Sequence, residues 1–150
     1  MTGARGYVPD RNDIVWLDFD PPRGREIGKY RPALVLSSRA YNQRTGLLIC
    51  CPISTSIRGA ATEVPVKNLK EPCVVASNLV HTFDWRARGI KKAARGEPGL
   101  MDDVLVRLIP LIGVDRLFVI HSGEQEFPLG EKIAALPISR ISKLKARAKA

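Results

Sequence analysis

Short blocks of apolar residues, separated by polar and turn-forming residues, recur through the first half of the chain. Runs rich in β-branched and aromatic side chains predict five strands, at residues 13–19, 32–37, 47–53, 62–66 and 73–76. Because Pro65 has no backbone N–H, the fourth of these strands is predicted to lie at an edge or to carry a bulge. The pattern therefore predicts a sheet built from several short strands.

The segments between these strands are polar. Residues 20–30 contain two prolines, two glycines and five charged side chains, which predicts an exposed loop. Residues 39–46 are too polar and too short for more than a helical turn, and residues 77–85 are predicted to be irregular.

Helical periodicity is confined to residues 98–112. Asp102 and Asp103 lie in its early turns, where acidic side chains complement the positive end of the helix dipole. Pro110 is predicted to end or bend the last turn. Several short strands followed by one helix predict a mainly β fold with helices, in the form of a small, strongly bent sheet or barrel. The apolar side chains that define the helix fall on one side: Leu100, Val104, Leu105, Leu108 and Leu111.

The charge balance adds a candidate partner. The chain has 24 Lys and Arg against 15 Asp and Glu, a net charge of +9. Such a field raises the local concentration of polyanions. Nucleic acid is the natural candidate, although basic proteins of other kinds are common.

The C-terminal quarter of the chain has a different character. Residues 117–120 could add a strand, whereas residues 124–130 resemble a loop. Residues 132–150 carry six basic side chains and no acidic one, which favours a frayed or loosely packed terminus over a basic helix that contacts RNA. The predicted organisation is a globular domain at residues 1–113 followed by a basic extension at residues 114–150.

Several features bear on the compartment. No stretch approaches the roughly 18 uninterrupted apolar residues of a membrane span, and no apolar segment near the N-terminus predicts a secretion signal. The odd number of cysteines (Cys50, Cys51 and Cys73) and the absence of a C-x-x-C motif argue against a disulfide framework. We therefore predict a cytoplasmic protein with buried, reduced thiols and no membrane contact. Cys50 and Cys51 are neighbours on a predicted strand, so their side chains should point to opposite faces.

Familiar catalytic motifs do not account for this sequence. The segment Gly24 to Lys29 is one residue short of a phosphate-binding loop, and Tyr30 replaces the Ser or Thr that would hold magnesium. The acidic residues are scattered, so a metal-dependent nuclease is not predicted. A mechanism that uses the only two histidines, His81 and His121, is formally possible but is disfavoured.

A set of motifs in a fixed order is more informative. The chain contains YVPDRNDIVWLDFDP (7–21), YRPALVLS (30–37), PISTS (52–56) and DWRARG (84–89). Together these resemble the MazF/PemK family of toxin endoribonucleases over about 70% of the chain. Asn12 departs from the family pattern, which has a glycine at this position.

The resemblance implies a fold, an activity and partners. The family fold is a small SH3-like or CcdB-like barrel with a C-terminal helix. Family members act as homodimers and cut single-stranded RNA at short sequence motifs without a metal or other cofactor, leaving 2′,3′-cyclic phosphate and 5′-hydroxyl ends. This activity inhibits translation and growth. The implied partners are single-stranded RNA and a MazE/PemI-like antitoxin whose acidic tail enters the RNA-binding groove.

The resemblance also implies catalytic residues. Arg31 stands where the family's catalytic arginine would be, and a guanidinium suits a phosphate because its planar fork can hold two oxygens. Ser54 stands where the family usually has a threonine. It keeps the hydroxyl but lacks the methyl group that restricts the rotamer. A shift of the role by one position, to Thr55, is the alternative.

Other residues receive substrate-binding assignments from the same resemblance. Glu26 corresponds to an acidic loop residue, and Arg58 could contact phosphate. Asn78 and His81 lie in a segment that contacts bases, although Ser77-Asn78-Leu79 departs from the common A/V-D-Q pattern, so the base preference should differ. The remaining assignments are Arg86 and Arg88, next to Trp85 in a plausible RNA edge. Trp16 is predicted to lie in the core or in a dimer interface.

Two other functions stay open on the sequence alone. A gyrase poison of the CcdB type would share the barrel but act on a protein. A non-catalytic module that binds RNA or the antitoxin would account for Ser54 in place of threonine.

Overall fold

The computed structural model describes residues 6–113, 117–130 and 133–143. The chain divides into two compact units, Met1–Leu108 and Ile109–Ala150. No helix among the described residues is long and apolar enough to cross a membrane.

The first unit is a curled antiparallel sheet with two α-helices, which confirms the predicted fold class. Five of its strands lie where the sequence predicts them. The sheet order is β4-β5-β3-β2-β1-β7, and β6 pairs with β3. The strands are β1 (Asp13–Asp18), β2 (Tyr30–Val35), β3 (Leu47–Ser54), β4 (Glu63–Val66), β5 (Cys73–Ala76), β6 (His81–Asp84) and β7 (Lys91–Arg95); the helices are α1 (Arg39–Thr45) and α2 (Leu100–Leu108).

Strands β6 and β7 were not predicted. The prediction of an irregular segment at residues 77–85 is wrong for β6, whose alternately half-buried and exposed side chains give only a weak strand signal. The sequence KKAAR of β7 contains no β-branched residue. It becomes a strand because it pairs with the apolar strand β1 and ends the sheet, where charged side chains are tolerated.

Two hydrophobic clusters lie on opposite faces of the sheet. The Leu34 cluster includes Ile14 and Cys51 and is covered by α2. The Leu17 cluster includes Val15 and Cys50. The neighbouring thiols Cys50 and Cys51 therefore point to opposite faces, as predicted, and all three cysteines are buried and free.

The prediction of a single helical turn at residues 39–46 is wrong, because α1 has seven residues, nearly two turns. Its ends are well capped. The Ser38 side chain accepts a hydrogen bond from the Tyr41 N–H, and Gly46 closes the helix in the left-handed conformation with φ of 73°. These caps satisfy backbone groups at the ends of a helix that is too polar to be recognised by periodicity.

Asn42 anchors α1 to the sheet. Its side chain is fully buried. Its Nδ2 group donates to Pro9 O at 2.8 Å and to Ser37 O at 3.2 Å, and its Oδ1 accepts the Ser37 hydroxyl at 2.5 Å. The Trp85 indole N–H donates to the Asn42 carbonyl at 2.9 Å.

We expect Asn42→Ala to lower the free energy of unfolding by about 2–3 kcal/mol, since it leaves buried polar partners without hydrogen bonds. Urea denaturation followed by circular dichroism measures this change. Gln43→Ala, which removes an exposed side chain from the same helix, is the control and should change the free energy by less than about 0.5 kcal/mol. Equal effects of the two substitutions would contradict the anchoring role.

Asn12 adopts a conformation that explains the departure from glycine at this position. Its φ is 71°, a left-handed value that asparagine tolerates better than most other residues. Its N–H donates to Val35 O at 2.9 Å, and its Nδ2 donates to Gly96 O at 2.8 Å. Asparagine thus provides the backbone geometry of a glycine and adds a side-chain hydrogen bond to the residues before α2.

The predicted helix at residues 98–112 is α-helical only to Leu108, and a 3₁₀ turn (Ile109–Ile112) follows in the chain. The α-helix ends two residues before Pro110, as the proline predicts. Leu100, Val104 and Leu108 are buried in the Leu34 cluster. Leu111 is 56% exposed, so its inclusion on the buried side was wrong.

The second unit contains a three-stranded sheet in the order β8-β10-β9. Its elements are β8 (Leu117–His121), β9 (Phe127–Gly130), β10 (Ile133–Pro137) and a 3₁₀ helix (Ile138–Lys143). β10 pairs in parallel with β8 and antiparallel with β9. The strand at residues 117–120 is confirmed.

The other two predictions for this unit are corrected. The loop at residues 124–130 contains β9. The frayed terminus at residues 132–150 contains β10, in which Ala135 and Leu136 are buried. The strand was missed because its alanines carry little intrinsic strand signal and it acquires its conformation by pairing on both edges. The predicted basic tail beyond residue 143 lies outside the described residues.

Candidate active site

Arg31 lies near the start of β2 and pairs with Leu17 of β1. Since side chains alternate along a strand, Arg31 projects on the same face as Ala33 and Val35 of the Leu17 cluster. Its Nε donates to Gly28 O at 2.7 Å. Within the described part of the chain its two terminal nitrogens have no hydrogen-bond partner, so they are available to an incoming anion.

The electrostatic setting of Arg31 reflects partial burial. Burial lowers the pKa of the Arg31 guanidinium from its ordinary value, and the nearby Asp20 carboxylate opposes this shift. A partly desolvated guanidinium interacts more strongly with a phosphate than one fully exposed to water.

Ser54, the last residue of β3, projects on the same face as Arg31. The pairs Ala33–Pro52, Leu34–Cys51 and Val35–Cys50 define the register between β2 and β3. The ladder ends at Ala33–Pro52, and the same register continued by two residues would place Arg31 opposite Ser54. Arg31 is two residues from Ala33, and Ser54 is two residues from Pro52. Since every second side chain of a strand lies on the same face, both point to one face of the sheet.

The Ser54 hydroxyl is held by its own turn. Its Oγ accepts a hydrogen bond from the Ser56 N–H at 3.1 Å. This contact limits the rotamer, as the methyl group of a threonine otherwise would. Among the residues that the structure describes, the hydroxyl hydrogen has no acceptor, so it can be donated to a phosphate oxygen. Thr55 lies beyond the strand end and is exposed.

The loop from Asp20 to Lys29 borders this face. The Asp20 carboxylate accepts the Lys29 N–H at 2.7 Å, and Arg88 donates through Nη1 to Asp18 O at 2.5 Å and to Asp20 O at 3.3 Å. At Gly28, a Cβ atom would come within 2.5 Å of Asp20 Oδ1 and within 2.7 Å of Cγ in the rigid Pro22 ring, so any larger residue would displace the loop. With the Arg31 contact to Gly28 O, two arginines, Arg31 and Arg88, thus donate to backbone carbonyl groups at the base of this loop.

An aromatic wall continues the same face. His81 of β6 pairs with Cys50, and Phe83 pairs with Leu48. The His81 and Phe83 rings stack with centroids 5.4 Å apart, and both meet Phe19 edge-on at 5.2 Å. The Arg88 guanidinium lies over the Phe83 ring, 4.1 Å from its centroid. Sequence analysis missed Phe19 and Phe83, although alternation with Val15 and Leu17 along β1 could have indicated the direction of Phe19.

His81 has one nitrogen in use and one free. Its Nδ1 lies 3.0 Å from Leu79 O, a contact in which Nδ1 carries the hydrogen. Its Nε2 has no partner among the described residues. The imidazole is therefore fixed in orientation, and its Nε2 is available for a hydrogen bond to a base.

The remaining predicted residues lie outside this group. The Glu26 carboxylate accepts the Arg23 N–H at 2.9 Å within the exposed loop. The backbone N–H of Arg58 donates to the Glu63 carboxylate at 3.0 Å. Arg58 and Asn78 are both exposed, after β3 and β5 respectively.

Arg86 is engaged elsewhere. Its Nη2 donates to Gln43 O at 3.1 Å near the end of α1, and its guanidinium lies 5.0 Å from the centroid of Trp85. Arg86 and Arg88, which are separated by one residue, thus contact different parts of the chain: Arg86 contacts α1 and Arg88 contacts the loop base. By strand register Arg31, Ser54 and His81 lie on one face of the sheet. Arg88 contacts the loop base and the Phe83 ring beside that face, and the Arg86 guanidinium is engaged at α1.

The chemistry available on this face is anion stabilisation and hydrogen bonding. Burial raises the pKa of the Cys50 thiol far above its ordinary value, so Cys50 is not a thiolate nucleophile at neutral pH. Among the residues described, no group of three or more His, Cys, Asp and Glu side chains could hold a metal ion.

Comparison with known proteins connects this site to a family. Residues 10–112 match the family model described as PemK-like, MazF-like toxin of type II toxin-antitoxin systems. The endoribonuclease toxin MazF of Escherichia coli K12 is 37% identical over 107 residues, which cover 71% of this chain and 96% of that protein.

Solved structures give the same result. MazF of Deinococcus radiodurans aligns with a TM-score of 0.68 and 38% identity, covering 71% of this chain and 97% of that one. A MazE-MazF structure from the same organism aligns with a TM-score of 0.62 and 35% identity over the same shares. The chain belongs to the PemK-like, MazF-like toxin family of type II toxin-antitoxin systems.

Proposed function

We propose that this chain is a toxin endoribonuclease that cleaves single-stranded RNA at specific short sequences, without a metal or other cofactor. The observation that carries the proposal is the common face of Arg31 and Ser54, where both terminal guanidinium nitrogens and a hydroxyl hydrogen have no partner in the described part of the chain. The relatives named endoribonuclease support the activity.

In the proposed reaction the ribose 2′-oxygen attacks the adjacent phosphorus and the bond to the 5′-oxygen breaks. The 2′-hydroxyl loses its proton and the leaving 5′-oxygen gains one, which gives a 2′,3′-cyclic phosphate and a 5′-hydroxyl. Arg31 stabilises the charge that develops on the non-bridging oxygens, and Ser54 donates a hydrogen bond to one of them. Arginine holds its proton too tightly to be assigned the proton transfer.

The RNA on either side of the scissile phosphate would contact the surrounding residues. His81 and Arg88 line the same face, with Thr55, Arg58 and Asn78 in the exposed segments after β3 and β5. Glu26 lies in the loop that borders the face. Arg86 is the weakest of these assignments, because its guanidinium is occupied at α1.

We further propose a cytoplasmic homodimer controlled by a MazE/PemI-like antitoxin. The net charge of +9 favours an acidic partner segment as well as RNA, and cleavage of cellular RNA would inhibit translation and growth. Residues 1–113 form the toxin domain in this proposal, and residues 114–150 form a basic extension to it.

The experiment incubates the purified chain with a long single-stranded RNA in EDTA and, separately, with gyrase and relaxed plasmid. We expect discrete RNA fragments and unchanged supercoiling. Loss of supercoiling with intact RNA would support the gyrase-poison alternative. RNA binding without cleavage by the folded protein would support the non-catalytic alternative.

A further inference from the structure

Two aromatic side chains stack on each other at the surface, outside the candidate active site. Trp16 of β1 and Tyr30 of β2 have ring centroids 5.3 Å apart and planes inclined by 17°. Trp16 is 36% exposed and Tyr30 is 58% exposed. Trp16 was predicted to lie in the core or in a dimer interface; the first alternative is wrong, and the second stays a prediction. No step of the proposed mechanism uses this pair.

The pair lies on the face of the sheet opposite to Arg31. Trp16 is two residues from Ile14, and Tyr30 is four residues from Leu34. Both spacings are even, so Trp16 lies on the same face as Ile14, and Tyr30 on the same face as Leu34. Ile14 and Leu34 are buried under α2 in the Leu34 cluster. The aromatic pair thus occupies the part of this face that lies beyond the buried cluster.

The neighbours of the pair are set by the strand registers. Trp16 pairs with Pro32 on one side and with Lys91 of β7 on the other, and Tyr30 pairs with Asp18. Lys91 is exposed and has no acidic partner within the described ranges. A cation therefore borders Trp16, and a carboxylate borders Tyr30.

These features fit an unpaired nucleobase better than a protein surface. Exposed aromatic rings next to a cation are the elements with which proteins bind single-stranded RNA, since every base has a flat π face. A stable protein interface covers roughly 800 Å² on each partner with an apolar centre. Two rings and a proline bordered by Lys91 and Asp18 do not provide such a surface.

We propose that Trp16 and Tyr30 form a stacking platform for an unpaired base of the RNA substrate. Lys91 would hold a phosphate of the same nucleotide stretch. The Asp18 carboxylate would repel phosphate at the Tyr30 side, so that a base rather than the backbone lies there. This inference rests on the proposed function.

The platform binds a nucleotide that flanks the cleaved bond. Tyr30 and Arg31 are consecutive, and their side chains leave opposite faces of β2. An RNA strand whose scissile phosphate is at Arg31 must pass the end of the sheet to reach Tyr30. The platform is therefore expected to strengthen the binding of longer RNA and to leave the chemical step unchanged.

The test measures the affinity of the full chain for 2′-O-methylated oligonucleotides, which cannot be cleaved because the attacking hydroxyl is blocked. Short and long oligonucleotides that contain the cleaved sequence are compared. We expect Tyr30→Ala to weaken the binding of the long one on the order of tenfold and the short one by less than about twofold. Tyr30→Phe should retain wild-type affinity, since it keeps the ring.

Two controls separate stacking from loss of structure. Tyr41→Ala removes a tyrosine of α1 that is 37% exposed and should change neither affinity. Trp16→Leu keeps apolar bulk without the flat ring, and it should reduce the quenching of tryptophan fluorescence by the long oligonucleotide to what the remaining Trp85 gives. With cleavable RNA, Tyr30→Ala should raise KM and leave kcat unchanged.

Three results would overturn the inference. Equal affinities of wild type, Tyr30→Ala and Trp16→Leu for the long oligonucleotide would exclude the platform while leaving the proposed function intact. A smaller mass of these two variants than of wild type by light scattering would identify the surface as an interface between copies of the chain. Failure of wild type to bind any RNA would contradict the proposed function as well.

Discussion

Replacement of Arg31 by alanine is expected to lower kcat for RNA cleavage by roughly 10³-fold or more, because it removes the group that stabilises charge on the scissile phosphate. The partial burial of Arg31 makes its contribution larger than that of a surface cation. Single-turnover cleavage of a labelled RNA measures the effect. RNA affinity should fall much less, since other cations of the chain still attract the polyanion.

Two further variants test the physical reason. Arg31→Lys keeps the charge but loses the planar fork and the Nε donor to Gly28 O, so we expect it to recover only a small part of the activity. Arg44→Ala removes an exposed positive charge from the end of α1 and should leave kcat within about twofold of wild type. Wild-type cleavage by folded Arg31→Ala would remove Arg31 from the mechanism.

Replacement of Ser54 by alanine is the second large effect. We expect kcat to fall roughly 10- to 100-fold, which corresponds to the loss of a hydrogen bond to a charged group. Ser54→Thr should retain the activity, because the hydroxyl is kept and the added methyl restricts the same rotamer. The measurement is the cleavage rate at saturating RNA, with melting temperatures to show that each variant is folded.

Thr55→Ala is the matched control, since it removes the neighbouring exposed hydroxyl. A near-normal rate for Thr55→Ala together with a slow rate for Ser54→Ala would assign the role to Ser54. The reverse result would move the role by one residue and contradict the argument from strand alternation.

The strands with β-branched and aromatic side chains could be predicted from the sequence because their pattern reflects burial. The sequence DIVWLDF also shows a limit of such prediction, since its four consecutive apolar residues, Ile14 to Leu17, lack the alternation that would distinguish the two faces of the strand. It predicts a strand but not which side chains are covered by other elements, and Trp16 is partly exposed. Burial of a given residue depends on which elements pack over each face, and that is decided by distant parts of the chain.

Elements that depend on pairing or capping were harder to predict. β7 is a strand because β1 lies beside it, and β10 because two strands pair with it. Helix α1 has few apolar residues, but Ser38 before it and Gly46 after it are recognisable caps, and greater weight on them would have given its length.

The site followed from the family resemblance and not from local pattern. Arg31 and Ser54 are 23 positions apart in sequence, and their common face follows from the register of β2 and β3, which no single segment encodes. The different environments of Arg86 and Arg88 could not be predicted from the sequence either, since both residues lie in one turn that directs their side chains to separate elements.

The most direct test of the central claim is a map of RNA ends produced by the wild type and by Arg31→Ala in EDTA. We expect the wild type to give discrete fragments with 5′-hydroxyl and 2′,3′-cyclic phosphate ends at one short sequence, and Arg31→Ala to give almost none. Fragments with 5′-phosphate ends, or the same cuts by Arg31→Ala, would contradict cleavage by the 2′-hydroxyl at the Arg31 site.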